Sequence, residues 1–447
     1  MENLRGWQVN PNFDLPEGYM LREDGYIVLL YFNNTLIAEF THSATTKTVV
    51  LAILDNELEI VRHSSPNGVK GGNTTTPQHH NTITPQNYPH NKGGAFMKKL
   101  VDIVVGGQYG DEGKGQICAW LAHHHLTEGH PYHFAVRVSG SNAEHRFTTP
   151  NNTQHTARVL PVAAWLDSQV QIVLGAGHTI KLDQFLSELK ELTTMYGDQK
   201  WRVFIDPQAG VIEPQHTLAG KETAWRGSTH QGTGQAVAHK VLRDGQFKTA
   251  AHYPELQPYV WAGGVWSLMR LWLQQGLTGL IEGAQGALLS LNHGYYPYCT
   301  SKDVTPAALL AEAGIPTGAV REIYGVYRTV PMRVPGNSGP TGGAELAWSE
   351  LEHFAKLSIP PSAKKQTDSG SIERIFLWSW EDFTKSVFLC GPTRMVLTFA
   401  DWWPAGLMEE PDINQHIQMM EDNAGCPVVM VRYGPAWENY GTRGEGV

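Results

Sequence analysis

The sequence has no long apolar segment, no cysteine pair at metal-binding spacing and no excess of positive charge. None of its apolar runs approaches the ~18 residues of a membrane-spanning helix, so we expect no membrane partner. Its four cysteines are scattered, and none stands in a Cys-x-x-Cys pair, which favours reduced thiols over a disulfide or zinc framework. The N-terminus lacks a basic region followed by an apolar core, so we expect no export signal.

The net charge of −9 argues against binding to a nucleic-acid polymer, because such proteins present a clustered basic face. With 41% hydrophobic and 17% charged residues over 447 positions, the chain is expected to form a globular protein with one large or two ordinary cores. These properties predict a cytoplasmic protein whose phosphate-bearing ligands are small molecules.

The chain divides into three segments by composition. Residues 1–62 alternate turn signals with short β-rich runs such as 26–32, which predicts a small β-rich module of unknown role. Residues 63–96 are rich in Asn, Thr, Pro and His and nearly devoid of large apolar residues, which predicts a flexible linker. A second, larger domain is therefore expected over residues 97–447.

Apolar runs alternate with amphipathic segments in residues 97–447. One segment, 182–196, carries leucines at helical spacing, and we place Leu186 on its apolar stripe. Alternation on this scale predicts an α/β fold with a mainly parallel central sheet flanked by helices.

Residues 101–117 combine a short apolar run, a glycine-rich loop and the start of a helix. Glycines let backbone N–H groups close on phosphate oxygens at a helix N-terminus, and Lys114 adds a positive charge. The spacing differs from a Walker A loop, because five residues separate Gly107 from Gly113 and Gly115 follows the lysine. The loop therefore predicts phosphate binding of a different type.

Two carboxylates in this loop, Asp111 and Glu112, offer a base or a Mg²⁺ ligand beside the phosphate cradle. The run Gly-Asp-Glu-Gly-Lys-Gly at 110–115 resembles the signature loop of the adenylosuccinate synthetases, and further blocks similar to that family follow in order over roughly residues 98–447. The resemblance implies a carbon–nitrogen ligase that joins L-aspartate to C6 of a 6-oxopurine nucleotide. It also implies a 6-phosphoryl intermediate, GTP hydrolysis and Mg²⁺.

The segment 139–145 is similar to the family's Gly-Gly-His-Asn-Ala-Gly-His loop, with Asn142 and His145 retained. The resemblance implies that Asp111 takes the N1 proton of the purine and that His145 acts on the migrating phosphoryl group. A carboxylate and an imidazole suit these roles. The implied Mg²⁺ ligands are Asp111 and the backbone carbonyl of Glu144, which are hard oxygen donors.

The segment Gly-Ser-Thr-His-Gln-Gly-Thr-Gly at 227–234 resembles the family's second phosphate loop. It implies that Ser228 and Thr229 bind the substrate phosphate. It also implies a homodimer in which Arg243 enters the site of the neighbouring subunit, a role that suits the fork of a guanidinium.

Blocks at 280–289 and 292–301 resemble the family closely. They imply that Gln285 binds the 6-phosphoryl group and that Thr300 contacts substrate phosphate. The segment beginning at Arg333 resembles a further active-site segment of the short family members.

Residues 398–401, Thr-Phe-Ala-Asp, align with the family's Thr-Lys-x-Asp, which implies that Asp401 reads the guanine of GTP. Phe399 replaces the usual lysine, so ATP stands as an alternative donor. Gly434 belongs to a segment similar to the one that closes over the same base.

The family's arginine-rich aspartate loop is altered in this chain, where only Thr367 and Arg374 match it as aspartate-binding residues. The complete set of predicted nucleotide and phosphate contacts is Gly110, Glu112, Gly113, Lys114, Gly115, Asn142, Ser228, Thr229, Arg243, Thr300, Arg333, Asp401 and Gly434.

Three functions remain open from the sequence. The first is conversion of IMP to adenylosuccinate with GTP. The second is the phage-type reaction that joins aspartate to dGMP with ATP or GTP, in which case the protein would act in the host cytoplasm. The third, suggested by the altered aspartate loop, is a guanine-nucleotide binder without catalysis.

Overall fold

The computed structural model describes the backbone of residues 19–24, 27–32 and 35–41, and then residues 98–222, 231–359, 372–408 and 412–443. The chain separates into two compact units, Met1–Met97 and Lys98–Val447. In the first unit, β1 (Tyr19–Asp24), β2 (Ile27–Phe32) and β3 (Thr35–Thr41) form an antiparallel sheet with β2 in the centre. The linker predicted over 63–96 lies outside the described residues.

The second unit is built on a nine-stranded sheet. Its strands are β4 (Val101–Gly106), β5 (Phe134–Arg137), β8 (Gln171–Leu174), β10 (Val203–Ile205), β12 (Gly279–Gly286), β13 (Val320–Arg328), β17 (Arg394–Thr398), β18 (Val428–Arg432) and β19 (Tyr440–Thr442). Their order across the sheet is β10-β8-β5-β12-β4-β13-β17-β18-β19. Every neighbouring pair is parallel except β18 and β19, which confirms the predicted mainly parallel sheet.

Among the described residues of the second unit, seven short strands lie outside this sheet: β6 (His145–Thr148), β7 (Gln154–Ala157), β9 (Thr179–Ile180), β11 (Gly210–Val211), β14 (Met332–Arg333), β15 (Glu345–Leu346) and β16 (Arg374–Phe376). The α-helices of the described residues are α1 (Lys114–Thr127), α2 (Leu182–Tyr196), α3 (Pro214–Glu222), α4 (Thr233–Leu242), α5 (Val265–Gln274), α6 (Pro306–Ala313), α7 (Trp348–Ala355), α8 (Trp380–Cys390) and α9 (Ile413–Ala424).

The sheet is covered by helices on both faces. Alternate residues of a strand point to opposite faces, and in β17 Val396 packs in a core cluster with α1 and α2, whereas Leu397 packs in a second cluster with α8 and α9. In α2, Phe185 and Leu189 are buried as the helical pattern predicts, but the placement of Leu186 on the apolar stripe was wrong, because that side chain is 41% exposed.

The strand β4 occupies the middle of the sheet and leads into the glycine-rich loop. All six of its residues are buried, as expected for a parallel strand covered on both faces. One of them is charged: Asp102 accepts hydrogen bonds from the Tyr132 hydroxyl at 2.5 Å and from Arg321 at 2.8 and 2.6 Å. This ion pair compensates the charge of the buried carboxylate in the central strand. The glycine-rich loop follows β4 at the carboxyl edge of the sheet, where α/β sheets bind ligands.

Candidate active site

The glycine-rich loop is shaped from within by Glu112. This side chain is fully buried, and its Oε1 accepts hydrogen bonds from the backbone N–H of Gln108 at 3.1 Å and of Gly110 at 2.9 Å. Its Oε2 pairs with Lys114 Nζ at 2.5 Å. The Glu112 carboxylate therefore stabilises the conformation of the loop. It also partly neutralises the positive charge of Lys114 at the start of α1.

Glycine is required where β12 meets this loop. A Cβ on Gly106 would lie 2.5 Å from Glu112 Oε2, and one on Gly286 would lie 2.4 Å from the Gln108 carbonyl oxygen. Both distances are shorter than non-bonded atoms tolerate, so only glycine lets the end of β12 approach the loop.

Asp111 lies in the same loop with a φ of 59°, in the left-handed region that is unfavourable for a residue with a side chain. Its backbone carbonyl accepts a hydrogen bond from Arg328 Nη1 at 2.8 Å, and its side chain is partly exposed. A second anchor comes from Thr398, whose hydroxyl donates to the Glu112 carbonyl at 2.7 Å. The proposed base is thus held by contacts from the ends of β13 and β17.

His145 belongs to a buried network of three ionisable groups. Its Nδ1 lies 2.5 Å from Glu282 Oε1 and 2.6 Å from Arg137 Nη1, and Arg137 also pairs with Glu282. Arg137 and His145 lower the pKa of Glu282 against the effect of burial, so this carboxylate is ionised. Burial and the nearby Arg137 charge lower the pKa of His145 to about 4, so the imidazole is neutral at pH 7.

The loop of Asp111 lies between two further predicted catalytic residues. A Cβ on Gly110 would be 3.9 Å from Gln285 Cα, and a Cβ on Gly115 would be 2.8 Å from His145 Cβ. Gln285 has a φ of 62° at the end of β12 and is partly exposed. The structure therefore brings Asp111, His145 and Gln285 to one edge of the sheet.

Asn142 lies beside the start of α4, since a Cβ on Gly140 would be 3.3 Å from Asn142 Oδ1 and 3.0 Å from Thr233 Cγ2. This helix follows the second predicted phosphate loop. Ser228 and Thr229 lie outside the described residues. Arg243 caps the C-terminus of α4 and is exposed.

Thr300 is partly exposed, and its backbone N–H donates to the Leu289 carbonyl at 2.7 Å. Arg333 is buried in a different setting, where its Nη1 and Nη2 donate to the carbonyls of Pro340 and Tyr298, each at 2.6 Å. Its guanidinium also lies 4.8 Å from the centroid of the ring of Tyr109, a residue of the glycine-rich loop. Arg333 therefore anchors the segment after β14 against the loop.

The predicted donor-base segment follows β17. Asp401 is half-buried, and its Oδ1 has no hydrogen-bond partner among the described residues. Burial raises the pKa of this carboxyl to about 6, and the nearby Arg328 opposes that rise. Gly434 lies in the loop after β18, where its carbonyl accepts from Arg432 Nη2 at 3.3 Å. An unpartnered carboxylate oxygen suits the reading of a nucleobase N–H group.

The altered aspartate segment is described only in part, because Thr367 lies outside the described residues. Arg374 forms a two-point ion pair with Glu345, with Nε to Oε1 at 2.8 Å and Nη2 to Oε2 at 2.5 Å. Its Nη1 donates to the Gly339 carbonyl at 2.7 Å. The guanidinium is therefore occupied in this structure, and a substrate carboxylate would have to displace Glu345.

Sequence reasoning missed Arg137, Glu282 and Arg328. Each is a charged residue in a strand of the central sheet, and each is at most 1% exposed. A charge inside a buried strand was the available signal. Among the described residues, no group of three or more His, Cys, Asp or Glu side chains is arranged to hold a metal, so a cation here would take few protein ligands.

The model of the adenylosuccinate synthetase family matches residues 103–256 and 247–356 of this chain. The chain belongs to the adenylosuccinate synthetase family. It is 31% identical over 348 residues to the adenylosuccinate synthetase of Pyrococcus sp. (strain ST700), covering 75% of this chain and 96% of that protein. It is 30% identical over 354 residues to the N6-succino-2-amino-2'-deoxyadenylate synthase of Vibrio phage phiVC8, covering 76% and 97%.

Two solved structures share the fold. One is the succinoaminodeoxyadenylate synthetase of cyanophage S-2L bound to dGMP and dATP, with a TM-score of 0.64, 24% identity and coverage of 77% of this chain and 95% of that one. The other is the fully ligated adenylosuccinate synthetase of Plasmodium falciparum, with a TM-score of 0.63, 19% identity and coverage of 77% and 100%.

As a member of this family, the protein is a carbon–nitrogen ligase of purine nucleotide biosynthesis. The family binds purine nucleotides and aspartate and is generally Mg²⁺-dependent. No helix in the described part of the chain is long and apolar enough to cross a membrane.

Proposed function

We propose that this ligase joins L-aspartate to C6 of IMP, with GTP as phosphoryl donor, and forms adenylosuccinate. The observation that carries the proposal is the position of the Asp111 loop between Gln285 and His145. That arrangement suits a reaction in which one oxygen of a purine gains a phosphoryl group and then leaves with it.

In the first step, Asp111 accepts the N1 proton of IMP, and the O6 oxygen attacks the γ-phosphorus of GTP and displaces GDP. In the second step, the aspartate amine attacks C6, and inorganic phosphate leaves with the former O6 oxygen. Gln285 is a neutral donor that follows the charge on the 6-phosphoryl group. His145 Nε2 is buried without a partner among the described residues, and an anionic phosphoryl group beside it would raise its pKa and let it carry a proton.

The donor set suits Mg²⁺, which takes hard oxygen ligands and keeps several from water and phosphate. Asp111 would supply a carboxylate. Glu144 would supply only its backbone carbonyl, because its side chain pairs with Arg146 and Arg158. Bound Mg²⁺ would neutralise charge on the transferred phosphoryl group.

A second candidate substrate is dGMP, as in the phage-type reaction. It is favoured by the similarity to the synthase of Vibrio phage phiVC8 and by the fold shared with the cyanophage S-2L protein. The chemistry at O6 and C6 is the same for both nucleotides, so the site geometry supports either. Phosphate release with L-aspartate and GTP, compared between IMP and dGMP, decides between them.

The donor is tested by the substitution Asp401→Asn. An ionised carboxylate accepts from the N1–H and 2-amino groups of guanine, whereas an amide also donates to adenine N1. Loss of these charge-assisted bonds should cost ~2 to 3 kcal/mol in GTP binding, roughly one to two decades in affinity. The kcat/KM ratio of GTP to ATP should fall in the variant, and an unchanged ratio would place the donor base elsewhere.

We further propose a homodimer and a cytoplasmic location, the latter because the substrates are free nucleotides and aspartate. Support for the dimer comes from the end of α4, where Val241 and Leu242 are 68% and 70% exposed beside the exposed Arg243. Sedimentation should show a dimer, and Arg243→Ala should weaken nucleotide use without dissociating it. For aspartate, Thr367 and Arg374 remain the proposed ligands, with the substrate carboxylate replacing Glu345.

A further inference from the structure

Arg328, at the end of β13, is a buried cation whose charge meets no carboxylate within ion-pair distance among the described residues. The side chain is 1% exposed, and its Nε and Nη2 have no hydrogen-bond partner there. Within the described part of the chain, its guanidinium donates one hydrogen bond, from Nη1 to the Asp111 carbonyl at 2.8 Å. Burial lowers its pKa to about 10, so the guanidinium is charged at neutral pH. An unpaired buried charge is unfavourable for stability, which calls for a functional reason to retain it.

The guanidinium lies on an aromatic surface supplied by the donor-base segment. Arg328 Cζ is 3.9 Å from the centroid of the Phe399 ring and 5.2 Å from that of Trp402. Attraction between a desolvated guanidinium and an aromatic face partly offsets the missing ion pair. The backbone of Phe399 is fixed as well, because its carbonyl accepts from the Thr329 hydroxyl at 2.5 Å.

Position 399 carries an aromatic side chain, which suits a neighbouring buried cation. A lysine there would set a second positive charge against Arg328, whereas the phenylalanine gives the guanidinium a favourable contact. The ring also reaches the phosphate loop, since a Cβ on Gly113 would lie 3.8 Å from Phe399 Cε2. The positive charge of this region therefore comes from β13 instead of from the donor-base segment.

We propose that Arg328 is a positioning residue that links the donor-base segment 398–401 to Asp111. The inference rests on the proposed function, because it gives Asp111 and Asp401 their roles. Arg328 holds the carbonyl of a residue in an unfavourable backbone conformation, and the Phe399 stack holds Arg328. Binding of the donor nucleotide next to Phe399 would thereby set the orientation of Asp111, the proposed general base. The buried guanidinium acts through Asp111 and need not touch substrate.

The test uses the full chain and four variants: Arg328→Met, Arg328→Lys, Phe399→Lys and the double variant Arg328→Met with Phe399→Lys. Losing a charge-assisted hydrogen bond that fixes Asp111 should lower kcat about 30-fold in Arg328→Met, with the KM for the purine nucleotide changed less than about threefold. Arg328→Lys should recover part of kcat, because an ammonium can still donate to the Asp111 carbonyl.

The double variant tests whether a cation at position 399 can replace the cation at position 328. Phe399→Lys alone should lower kcat, because it places two cations together, and the double variant should exceed both single variants. Matched controls are Arg270→Met, which removes an exposed arginine on α5, and Phe388→Leu, which removes a ring that is 88% exposed on α8. Both should retain the wild-type rate.

Wild-type kcat in Arg328→Met would overturn the inference, and so would a double variant no better than the poorer single variant. A lowered unfolding temperature with unchanged kcat would show a merely structural role and would also overturn it. If the wild-type protein releases no phosphate with aspartate, the proposed function fails separately. Calorimetric titration with GTP then tests the role of Arg328 at the donor-base segment alone. Binding about tenfold weaker in Arg328→Met than in the wild type supports the inference, and equal binding refutes it.

Discussion

The substitution Glu282→Gln tests how much the buried network at His145 contributes to stability. Glu282 Oε1 contacts both His145 Nδ1 and Arg137 Nη1, and Glu282 Oε2 accepts a hydrogen bond from the Val162 N–H at 2.7 Å. Because these side chains are at most 6% exposed, an amide here would leave Arg137 as an uncompensated buried charge. Breaking one partner of such a pair should lower the free energy of unfolding by about 3 to 5 kcal/mol. The imidazole would also lose the acceptor that fixes it, so kcat should fall by about 100-fold.

Urea unfolding of four proteins measures the coupling: wild type, Glu282→Leu, Arg137→Met and the double variant. Replacing the whole pair with apolar residues removes the unpaired charge, so the double variant should be more stable than the sum of the single effects predicts by about 2 kcal/mol or more. The control is Glu345→Gln at the more exposed pair with Arg374, which should cost about 1 kcal/mol or less. A cost below about 1 kcal/mol for Glu282→Gln, or additive single effects, would refute this account of the network.

Three further outcomes follow from the structure. Asp111→Ala should abolish turnover with little change in unfolding temperature, because it removes a base from a loop; more than a few per cent of the wild-type rate would contradict the assignment. A chain that starts at Met97 should stay soluble and active, because every described site residue lies in the unit Lys98–Val447; a folded but inactive truncation would contradict this. Burial raises the pKa of Glu188 from an ordinary 4.5 to about 7, so the folded state binds the proton more tightly than the unfolded state does. The free energy of unfolding should therefore fall as the pH rises from about 4.5 to about 7, by an amount on the order of 2 to 3 kcal/mol. Glu188→Gln should remove that slope in pH-dependent urea unfolding, and an unchanged slope would exclude Glu188 as its source.

Local patterns predicted the parts of the fold that depend on local physics. The helix Leu182–Tyr196 was predicted with its observed bounds, because its apolar residues follow the helical repeat. The exposed Leu186 shows the limit of that pattern, since the width of the buried stripe depends on what packs against it. The strand and helix that flank the glycine-rich loop were predicted because all three features stand together in sequence, and phosphate binding by the loop stays a prediction.

Long-range contacts were not accessible in the same way. Glu282 meets His145 across 137 positions of sequence, and nothing near Glu282 specifies that partner. Arg374 matched a family position, yet its pairing with Glu345 depends on the register of β15 against β16. The contact of Arg328 with Phe399 depends in turn on β13 and β17 lying side by side in the sheet. Sequence similarity indicated which segments are expected at the site, and the tertiary structure shows which of their side chains already have partners.

Phosphate release from GTP in the presence of Mg²⁺, L-aspartate and either IMP or dGMP measures whether this protein carries out the proposed ligase reaction at a 6-oxopurine. We expect phosphate release that requires both aspartate and a purine nucleotide, that is faster with IMP than with dGMP, and that disappears in Asp111→Ala. Faster release with dGMP would select the phage-type reaction. Nucleotide binding without aspartate-dependent release from either substrate would contradict catalysis and leave a guanine-nucleotide binder.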